Sequence, residues 1–332
     1  MRFSKIAGVG HYVPAKVVTN QDLEKIMDTS HEWIVERTGI LERRYFEPGT
    51  DTTANMGTKA AQKALAMANL SASDLDMIIF ATLSPDYIFP GSGVLVQREL
   101  GLKNIPALDI RNQCSGFVYA LSVADQFIKT GMYHNILVVG SEIHSSGLDF
   151  SDKGRAVSVI FGDGAGAVVL SPSDTEKQGI LSTHLHADGE LAEELACVAP
   201  SSNKKERTTK EMIDDGSIYP YMNGQTVFKN AVMRFPEVIM EALNKNNYQP
   251  QDIDMLIPHQ ANLRITSFIQ QKMGLPAEKV FSNIQRYGNT TAASVPIALS
   301  EAVEQGKIKT GDLVCLAAFG SGFTWASALI RW

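Results

Sequence analysis

The sequence predicts an α/β fold made of two similar halves. Short apolar runs, such as MIIFATL at 77–83 and NILVVGSE at 135–142, alternate with segments of helical periodicity. Strands that alternate with helices form buried, mostly parallel sheets covered by those helices. A closing pair of strands around a glycine-rich turn occurs twice, as FGDGAGAVVL and as FGSGFTWASALI. This repetition predicts an internal duplication, with an N-terminal half at 1–174 and a C-terminal half at 175–332.

Each half supplies its elements in a similar order. In the first half we predict helix 54–68, strand 77–83, strand 107–110, a helix from Cys114 to Thr130, strand 135–142 and two strands within 157–172. In the second half we predict a helix within 222–246, strand 255–260 with a helix after it, helix 291–306 and a terminal hairpin at 312–332. The polar segment 187–221 is predicted to be a long inserted loop, and loops of this length are usually functional or mobile.

Composition narrows the class of protein. The 332 residues are 44% hydrophobic, which is enough for one large core or two fused domains. Basic residues number 30 against 36 acidic ones, without a long basic run, so no nucleic-acid partner is expected. The sequence has no apolar window long enough for a membrane span and no secretory signal at its start. Three sparse cysteines indicate free thiols in a reducing compartment, and we expect a cytoplasmic protein.

Cys114 is the first candidate functional residue. Free cysteine usually packs as a small apolar residue, and Cys197 and Cys315 are interpreted in that way. Cys114 instead has polar neighbours in NQCSG (112–116), and a helix is predicted to start at it. A helix N-terminus favours an anion, so we expect a lowered thiol pKa and a thiolate near neutral pH. A thiolate attacks thioesters and forms an acyl-enzyme.

Two further residues are candidates because each follows a strand or loop and precedes a helix. His259 lies in LIPHQANLRI and Asn289 lies in RYGNTTAASVP. Taken alone, a histidine in this setting is more often structural, and an asparagine before Thr-Thr is more often a turn residue or a helix cap. Neither residue decides the function by itself.

The motifs taken together resemble a known family. CSGF, PHQAN, YGNTTAASVP and AAFGSGFTW, in this order, are similar to the β-ketoacyl-acyl-carrier-protein synthase III family of the thiolase superfamily. The resemblance runs from IAGVGHYVP near the start to ALIRW at the end. It implies a thiolase-like five-layer αβαβα fold and a homodimer. It also implies that the enzyme needs no cofactor and takes coenzyme A (CoA) and acyl carrier protein (ACP) thioesters as substrates.

The resemblance implies a catalytic trio of Cys114, His259 and Asn289. The sulfur of Cys114 would take the acyl group from acyl-CoA. The Nε2 of His259 and the amide of Asn289 would then donate to the thioester carbonyl of malonyl-ACP, which stabilises the enolate left by decarboxylation. Attack of this carbanion on the acyl-cysteine gives 3-oxoacyl-ACP, the first condensation of fatty-acid synthesis.

The resemblance also implies an oxyanion hole formed by the backbone N–H groups of Cys114 and Ser321. One such donor is typically worth about 3–4 kcal/mol of the barrier. The family commonly has glycine at the position of Ser321. A backbone donor tolerates serine there if φ is negative, whereas a positive φ strains it.

The remaining residues of the implied site bind the substrates. Those that match the CoA site are Trp33, Arg37, Lys153, Phe228, Asn262 and Phe319. Those that match the acyl pocket are Leu83 and Phe89, and those expected to receive the carrier protein are Lys229, Arg264 and Lys272. Lys153 stands where the family has arginine, and it keeps the charge but loses the planar stacking surface.

Departures from the family leave an alternative open. Leu83, Gln113 and the long segment 187–221 favour a related condensing enzyme or acyltransferase of specialised metabolism, with another acceptor or a longer acyl chain. A non-enzymatic dimer that binds acyl-CoA is a third reading. GDGAGAVV at 162–169 lacks the context of a nucleotide-binding loop. His184, His186 and Glu190 do not have a convincing ligand pattern, so no metal is expected.

Overall fold

The computed structural model describes residues 3–173, 175 and 178–332. Its strands are β1 (Phe3–Tyr12), β2 (Lys16–Thr19), β3 (Glu42–Tyr45), β4 (Met77–Ala81), β5 (Ala107–Ile110), β6 (Ile136–Glu142), β7 (Gly164–Ser173), β8 (Gly179–Ala187), β9 (Leu195–Ala196), β10 (Tyr221–Met222), β11 (Met255–Pro258), β12 (Leu313–Gly320) and β13 (Thr324–Arg331).

The α-helices range from four to 22 residues in length. They are α1 (Asn20–Glu24), α2 (His31–Thr38), α3 (Thr53–Ala68), α4 (Gly93–Glu99), α5 (Gly116–Lys129), α6 (Arg155–Ser158), α7 (Lys210–Asp214), α8 (Gly224–Lys245), α9 (Leu263–Met273), α10 (Ile284–Tyr287) and α11 (Ser294–Glu304). Within the described ranges, none of these helices has both the length and the apolar character needed to cross a membrane.

Two sheets share one topology. The first has the order β1-β7-β6-β4-β5, with β7 antiparallel to both neighbours and β4 parallel to both neighbours. The second has the order β8-β13-β12-β11, with β13 antiparallel to both neighbours and β11 parallel to β12. A parallel bridge between Leu256 and Val280 takes the place of the fifth strand. The two sheets therefore match strand for strand, as a duplicated unit requires.

Helices alternate with the two sheets to give five layers. The central core joins Ile79 and Val138 of the first sheet to Val314 of the second, with Leu121 of α5 and Leu299 of α11 between them. Helices α3 and α4 cover the outer face of the first sheet, and α8 and α9 cover the outer face of the second. The expected αβαβα arrangement is confirmed. The boundary between the halves stays a prediction, and its last residue, Asp174, lies outside the described residues.

The sequence reading was wrong in two local places. Residues 157–172 were expected to form two strands, but they contain the end of α6 and a single strand, β7. Segment 187–221 was expected to be irregular, but it holds the short helix α7 and the two-residue pair of β9 with β10. These elements are too short for periodicity to reveal them. The terminal hairpin of β12 and β13 was predicted correctly.

Candidate active site

Cys114 lies between the end of β5 and the start of α5. It sits in a single 3₁₀ turn, Gln113–Ser115, and the α-helix begins only at Gly116. Burial raises the pKa of the Cys114 thiol to about 12, and the negative charge of the buried Glu142 adds to this effect. The expectation of a lowered thiol pKa is therefore wrong for the free enzyme. The field at the start of α5 does not outweigh the loss of solvent around the sulfur.

Hydrogen-bond donors surround the Cys114 sulfur. The backbone N–H groups of Ser321 and of Cys114 itself, together with the hydroxyl of Thr291, act against burial and lower the thiol pKa. The turn after β12 can approach Cys114 closely because residue 320 is glycine. A Cβ there would lie 2.5 Å from the Cβ of Cys114 and 2.8 Å from its sulfur. The two N–H groups expected to form the oxyanion hole thus both lie next to the Cys114 sulfur.

Ser321 occupies its turn without strain in φ. The described non-glycine residues with positive φ do not include Ser321, so a side chain is tolerated there. Its hydroxyl donates to the backbone oxygen of Leu195, in β9. Thr324 donates from its hydroxyl to the backbone oxygen of Ser321 at 3.1 Å and lies 2.7 Å from the hydroxyl of Ser115. Side-chain contacts therefore fix the position of the Ser321 N–H.

His259 follows β11 and presents one nitrogen without a partner. Its Nδ1 lies 2.6 Å from the hydroxyl oxygen of Ser294, while its Nε2 is buried and unbonded within the described part of the chain. The Ser294 oxygen accepts from the Gln260 N–H at 3.0 Å, so the hydroxyl proton is available to Nδ1. This arrangement favours a ring proton on Nε2. Burial lowers the pKa of His259 to about 3, which keeps the imidazole neutral.

Asn289 is oriented by its own turn. Its Oδ1 accepts from the backbone N–H of Thr291 at 2.9 Å, which leaves the amide NH₂ as the group available to a ligand. The backbone is fixed as well, because Asn289 N–H donates to Ile160 at 2.9 Å and its carbonyl accepts from Gly162 at 3.0 Å. Thr291 has a φ of 49°, a conformation that a β-branched residue rarely adopts. Such backbone strain is typical of functional sites.

Thr291 and Ser294 connect the three predicted catalytic residues. The hydroxyl of Thr291 reaches the sulfur of Cys114, and its N–H orients Asn289. Three residues later, Ser294 begins α11 and contacts His259. Both connecting residues lie within the NTTAAS segment, but no pattern in the sequence indicates which side chain contacts which partner. They were missed because their partners are distant along the chain.

Two of the predicted CoA-site residues, Trp33 and Arg37, lie in α2. The guanidinium of Arg37 lies 4.5 Å from the Trp33 ring centroid, and that of Arg155 lies 4.8 Å from it. Lys153, which was expected to provide this cation, is exposed. The cation beside the Trp33 ring is therefore Arg155, and within the described part of the chain no contact of Lys153 with that ring is observed.

A cavity of about 360 Å³ lies between α2, α8 and α9, and its lining includes Val35, Gly39, Phe228 and Arg264. Asn262 is at the edge of this region. Its side chain caps α9 by accepting from the Arg264 N–H at 2.9 Å, and its Nδ2 donates to the Arg37 carbonyl at 2.8 Å. The predicted CoA-site residues Phe228 and Asn262 are thus brought beside α2.

Other predicted residues fall in different surroundings. Phe319 is buried, with its ring centroid 5.0 Å from that of Phe323. The backbone N–H of Leu83 donates to the Glu142 carboxylate, which holds Leu83 near the candidate site. Phe89 is 81% exposed, so it closes no pocket within one chain. All three residues expected to bind a carrier protein are exposed: Lys229, Arg264 and Lys272.

The other cysteines and the surface histidines were only partly understood from the sequence. Cys315 is buried in β12 as expected, but Cys197 is exposed rather than packed as a filler. His184 and His186 on β8 both contact Glu241 on α8, at 3.0 and 2.6 Å, and not Glu190. Among the residues that the structure describes, no group of His, Cys, Asp and Glu is arranged to hold a metal ion.

Comparisons with family models and with curated proteins identify the same family. Residues 108–189 match the model for 3-oxoacyl-[acyl-carrier-protein (ACP)] synthase III, and residues 243–332 match the model for its C-terminal part. The chain is 47% identical over 329 residues to the β-ketoacyl-[acyl-carrier-protein] synthase III of Aquifex aeolicus, with 99% of both sequences covered. It is 48% identical over 330 residues to the same-named protein of Yersinia pseudotuberculosis, again with 99% of both covered.

Solved structures give the same result. The 3-oxoacyl-[acyl-carrier-protein] synthase III of Aquifex aeolicus superposes with a TM-score of 0.91 at 47% identity, covering 99% of this chain and 100% of that one. The corresponding enzyme of Thermus thermophilus superposes with a TM-score of 0.90 at 42% identity, covering 99% of both chains. The priming β-ketosynthase of the R1128 polyketide pathway does so with 0.90 at 34% identity, covering 99% and 96%.

Proposed function

The chain belongs to the 3-oxoacyl-[acyl-carrier-protein] synthase III family, and from this premise we propose that it condenses an acyl-CoA primer with malonyl-ACP. The reaction proceeds through an acyl-cysteine and releases carbon dioxide, CoA and 3-oxoacyl-ACP. One observation carries the proposal for this chain. The N–H groups of Cys114 and Ser321 act on the Cys114 sulfur, and the NTTAAS segment that carries Thr291 also carries Ser294, which contacts His259 Nδ1. The Nε2 of His259 is buried without a partner among the described residues.

In the first half-reaction, Cys114 takes the acyl group. Its sulfur attacks the thioester carbonyl, the N–H groups of Cys114 and Ser321 donate to the oxyanion, and the carbon–sulfur bond to CoA breaks. The thiol proton ends on the departing CoA sulfur, so the step consumes no other reactant. Because burial raises the thiol pKa, this half-reaction depends on donors that stabilise negative charge as it develops.

In the second half-reaction, malonyl-ACP loses carbon dioxide to form an enolate. The Nε2–H of His259 and the NH₂ of Asn289 donate to the thioester carbonyl and stabilise this enolate. Both groups are neutral donors, since burial holds the pKa of His259 at about 3 and an amide does not titrate. The enolate carbon attacks the acyl carbonyl, and the tetrahedral intermediate expels the Cys114 thiolate.

We propose that CoA binds through Trp33, Arg37 and Arg155, with its pantetheine arm passing Phe228 and Asn262. Arg155→Ala is expected to raise the KM for acyl-CoA about tenfold while kcat changes little, because a stacked cation at a ring contributes binding energy. The matched control Lys153→Ala is expected to change KM less than about twofold. Steady-state kinetics with varied acyl-CoA measure both values. A larger effect of Lys153→Ala would return the nucleotide role to Lys153.

The partner surfaces follow from exposure and charge. Lys229, Arg264 and Lys272 form an exposed basic set on α8 and α9, which suits an acidic carrier protein.

Strand β5 is the edge of the first sheet, and nearby Ile88 and Phe89 are 78% and 81% exposed. An open edge strand beside large exposed apolar residues supports a homodimer. The free thiols support a cytoplasmic location.

The alternative function has less support. The relatives at 47% and 48% identity are named as synthase III, whereas the polyketide priming ketosynthase is 34% identical. Purified protein with malonyl-ACP and acyl-CoAs of graded length tests the assignment by mass spectrometry of the carrier protein. We expect 3-oxoacyl-ACP with release of carbon dioxide. Acyl transfer without release of carbon dioxide would instead favour the acyltransferase reading.

A further inference from the structure

His144 is a buried histidine that the mechanism above does not use. It follows β6, and its backbone N–H donates to Asp163 at 2.7 Å. Its ring lies 4.7 Å from the ring of Phe161, and its Nε2 lies 2.6 Å from the hydroxyl oxygen of Thr291. Burial lowers the pKa of His144 to about 4, so the imidazole is neutral. A neutral imidazole that is buried and anchored in this way can fix the direction of a hydroxyl group.

The hydroxyl of Thr291 is one of the groups that lower the pKa of the Cys114 thiol, and the 3₁₀ turns that carry Cys114 and Thr291 pack against each other. Independent geometry places the two turns together. A Cβ on Gly116, two residues after Cys114, would lie 3.7 Å from the Cβ of Ala292, the residue after Thr291. Thr291 holds this position in the left-handed region, with a φ of 49°. One hydroxyl oxygen therefore joins a histidine nitrogen to the candidate nucleophile.

The number of available protons sets the direction of the hydrogen bonds from His144 through Thr291 to Cys114. A thiolate accepts hydrogen bonds and donates none, so a Thr291 hydroxyl that faces it must use its single proton there. The Thr291 oxygen then accepts from His144, which requires the ring proton on Nε2. We propose that His144 is a positioning residue that donates from Nε2 to the Thr291 hydroxyl and thereby directs that hydroxyl's proton to the Cys114 sulfur, stabilising its thiolate.

This inference rests on the proposed function and deepens it. Cys114 carries negative charge twice, when its sulfur attacks acyl-CoA and when the final intermediate expels it. The hydrogen bonds from His144 through Thr291 would lower the free energy of both negatively charged states of Cys114. Burial raises the pKa of Glu142 to about 7, so its charge, which raises the thiol pKa of Cys114, changes near neutral pH. Burial also raises the pKa of Asp163, which accepts from the His144 backbone N–H, so both carboxyl groups contribute to the pH dependence.

The experiment measures the rate at which iodoacetamide alkylates Cys114 as a function of pH. The exposed Cys197 is replaced by Ser throughout, so that intact-mass spectrometry follows the one remaining reactive thiol. We expect His144→Leu to slow alkylation about tenfold at each pH below the thiol pKa, the effect of losing one hydrogen-bond donor to a charged group. His144→Gln keeps an N–H donor and should restore most of the rate.

A double-mutant cycle tests whether His144 acts through the Thr291 hydroxyl or has only a structural role. Thr291→Val keeps the β-branched shape and the N–H that orients Asn289, but it removes the hydroxyl. We expect it to slow alkylation at least as much as His144→Leu, and we expect no further loss when His144→Leu is added. His11→Leu is the matched control, because His11 is buried to the same extent and its Nδ1 lies 2.9 Å from the Ser300 hydroxyl. It should leave the alkylation profile unchanged.

Two results would overturn the proposal. One is an unchanged alkylation profile in His144→Leu with an unchanged melting temperature. The other is losses that multiply in the double variant, since they would mean that His144 does not act through Thr291. If His144→Leu is unstable, the comparison of His144→Gln with Thr291→Val decides the question. Failure of the parent protein to be acylated by acyl-CoA would count against the proposed function alone, because alkylation does not require that reaction.

Discussion

Cys114→Ala is expected to abolish acyl loading and condensation together, with a loss of about 10⁴-fold or more. The substitution removes only the sulfur from a buried position, so the fold should persist. The donors around that sulfur, the N–H groups of Ser321 and Cys114, then have no nucleophile to serve. Intact-mass spectrometry after incubation with acyl-CoA measures loading, and mass analysis of the carrier protein measures the product.

A cysteine control makes this prediction specific. Cys197 is exposed and therefore more accessible to a bulky reagent than Cys114. Cys197→Ser should nevertheless load and condense like the parent protein, because no set of oxyanion donors is described around it. Loading that survives in Cys114→Ala, or that disappears in Cys197→Ser, would remove Cys114 from the role of nucleophile.

His259→Ala and Asn289→Ala are expected to separate the two half-reactions. Acyl loading of Cys114 should remain within a few-fold of the parent, while decarboxylation and condensation fall about 10²–10³-fold in each variant. The reason is that, in the proposed mechanism, Nε2 of His259 and the NH₂ of Asn289 donate to the malonyl thioester and not to the primer. Release of carbon dioxide from malonyl-ACP measures the second half-reaction directly.

Asn289→Asp isolates the donor role of Asn289. The aspartate keeps an oxygen that can accept from the Thr291 N–H, but it replaces the amide donor with a negative charge next to the developing enolate. It should therefore condense no better than Asn289→Ala. His184→Ala, which removes a histidine that pairs with Glu241, serves as the control for loss of an imidazole. Condensation retained by both His259→Ala and Asn289→Ala would refute the assigned roles.

The family and the αβαβα fold could be predicted because they rest on contiguous motifs and on periodicity. The duplication was predicted from two glycine-rich segments, and only the second of them is a hairpin, of β12 with β13. The duplication itself appears as the matching strand orders of the two sheets. The catalytic trio came from motifs as well. The sequence could not show that Thr291 and Ser294 hold this trio in place, since these contacts depend on how the turns pack.

The pKa of Cys114 shows the limit of a local argument. A polar sequence before a helix indicates a stabilised thiolate, but the thiol is buried and lies close to Glu142. Glu142 is 28 positions further along the chain and reaches Cys114 only through the packing of β6 beside β4 and α5. Desolvation depends on every neighbour of an atom, so its size cannot be read from adjacent residues.

Two other differences have equally simple causes. Lys153 and Arg155 are two residues apart in a segment that turns into the short helix α6, and only the three-dimensional path shows which cation faces Trp33. His144 and Thr291 are 147 positions apart. In the sequence His144 is one of several unremarkable histidines. Its contact with Thr291 exists only because β6 and the start of α11 meet at the centre of the molecule.

The most direct test of the central claim is a single-turnover experiment. The protein is acylated with acyl-CoA, freed of excess reagent and mixed with malonyl-ACP, and peptide mass spectrometry then locates and follows the acyl group. We predict that the acyl group appears on Cys114, that the parent protein loses it as 3-oxoacyl-ACP forms, and that His259→Ala retains it. An acyl group on another residue, or its discharge at the parental rate in His259→Ala, would contradict the account.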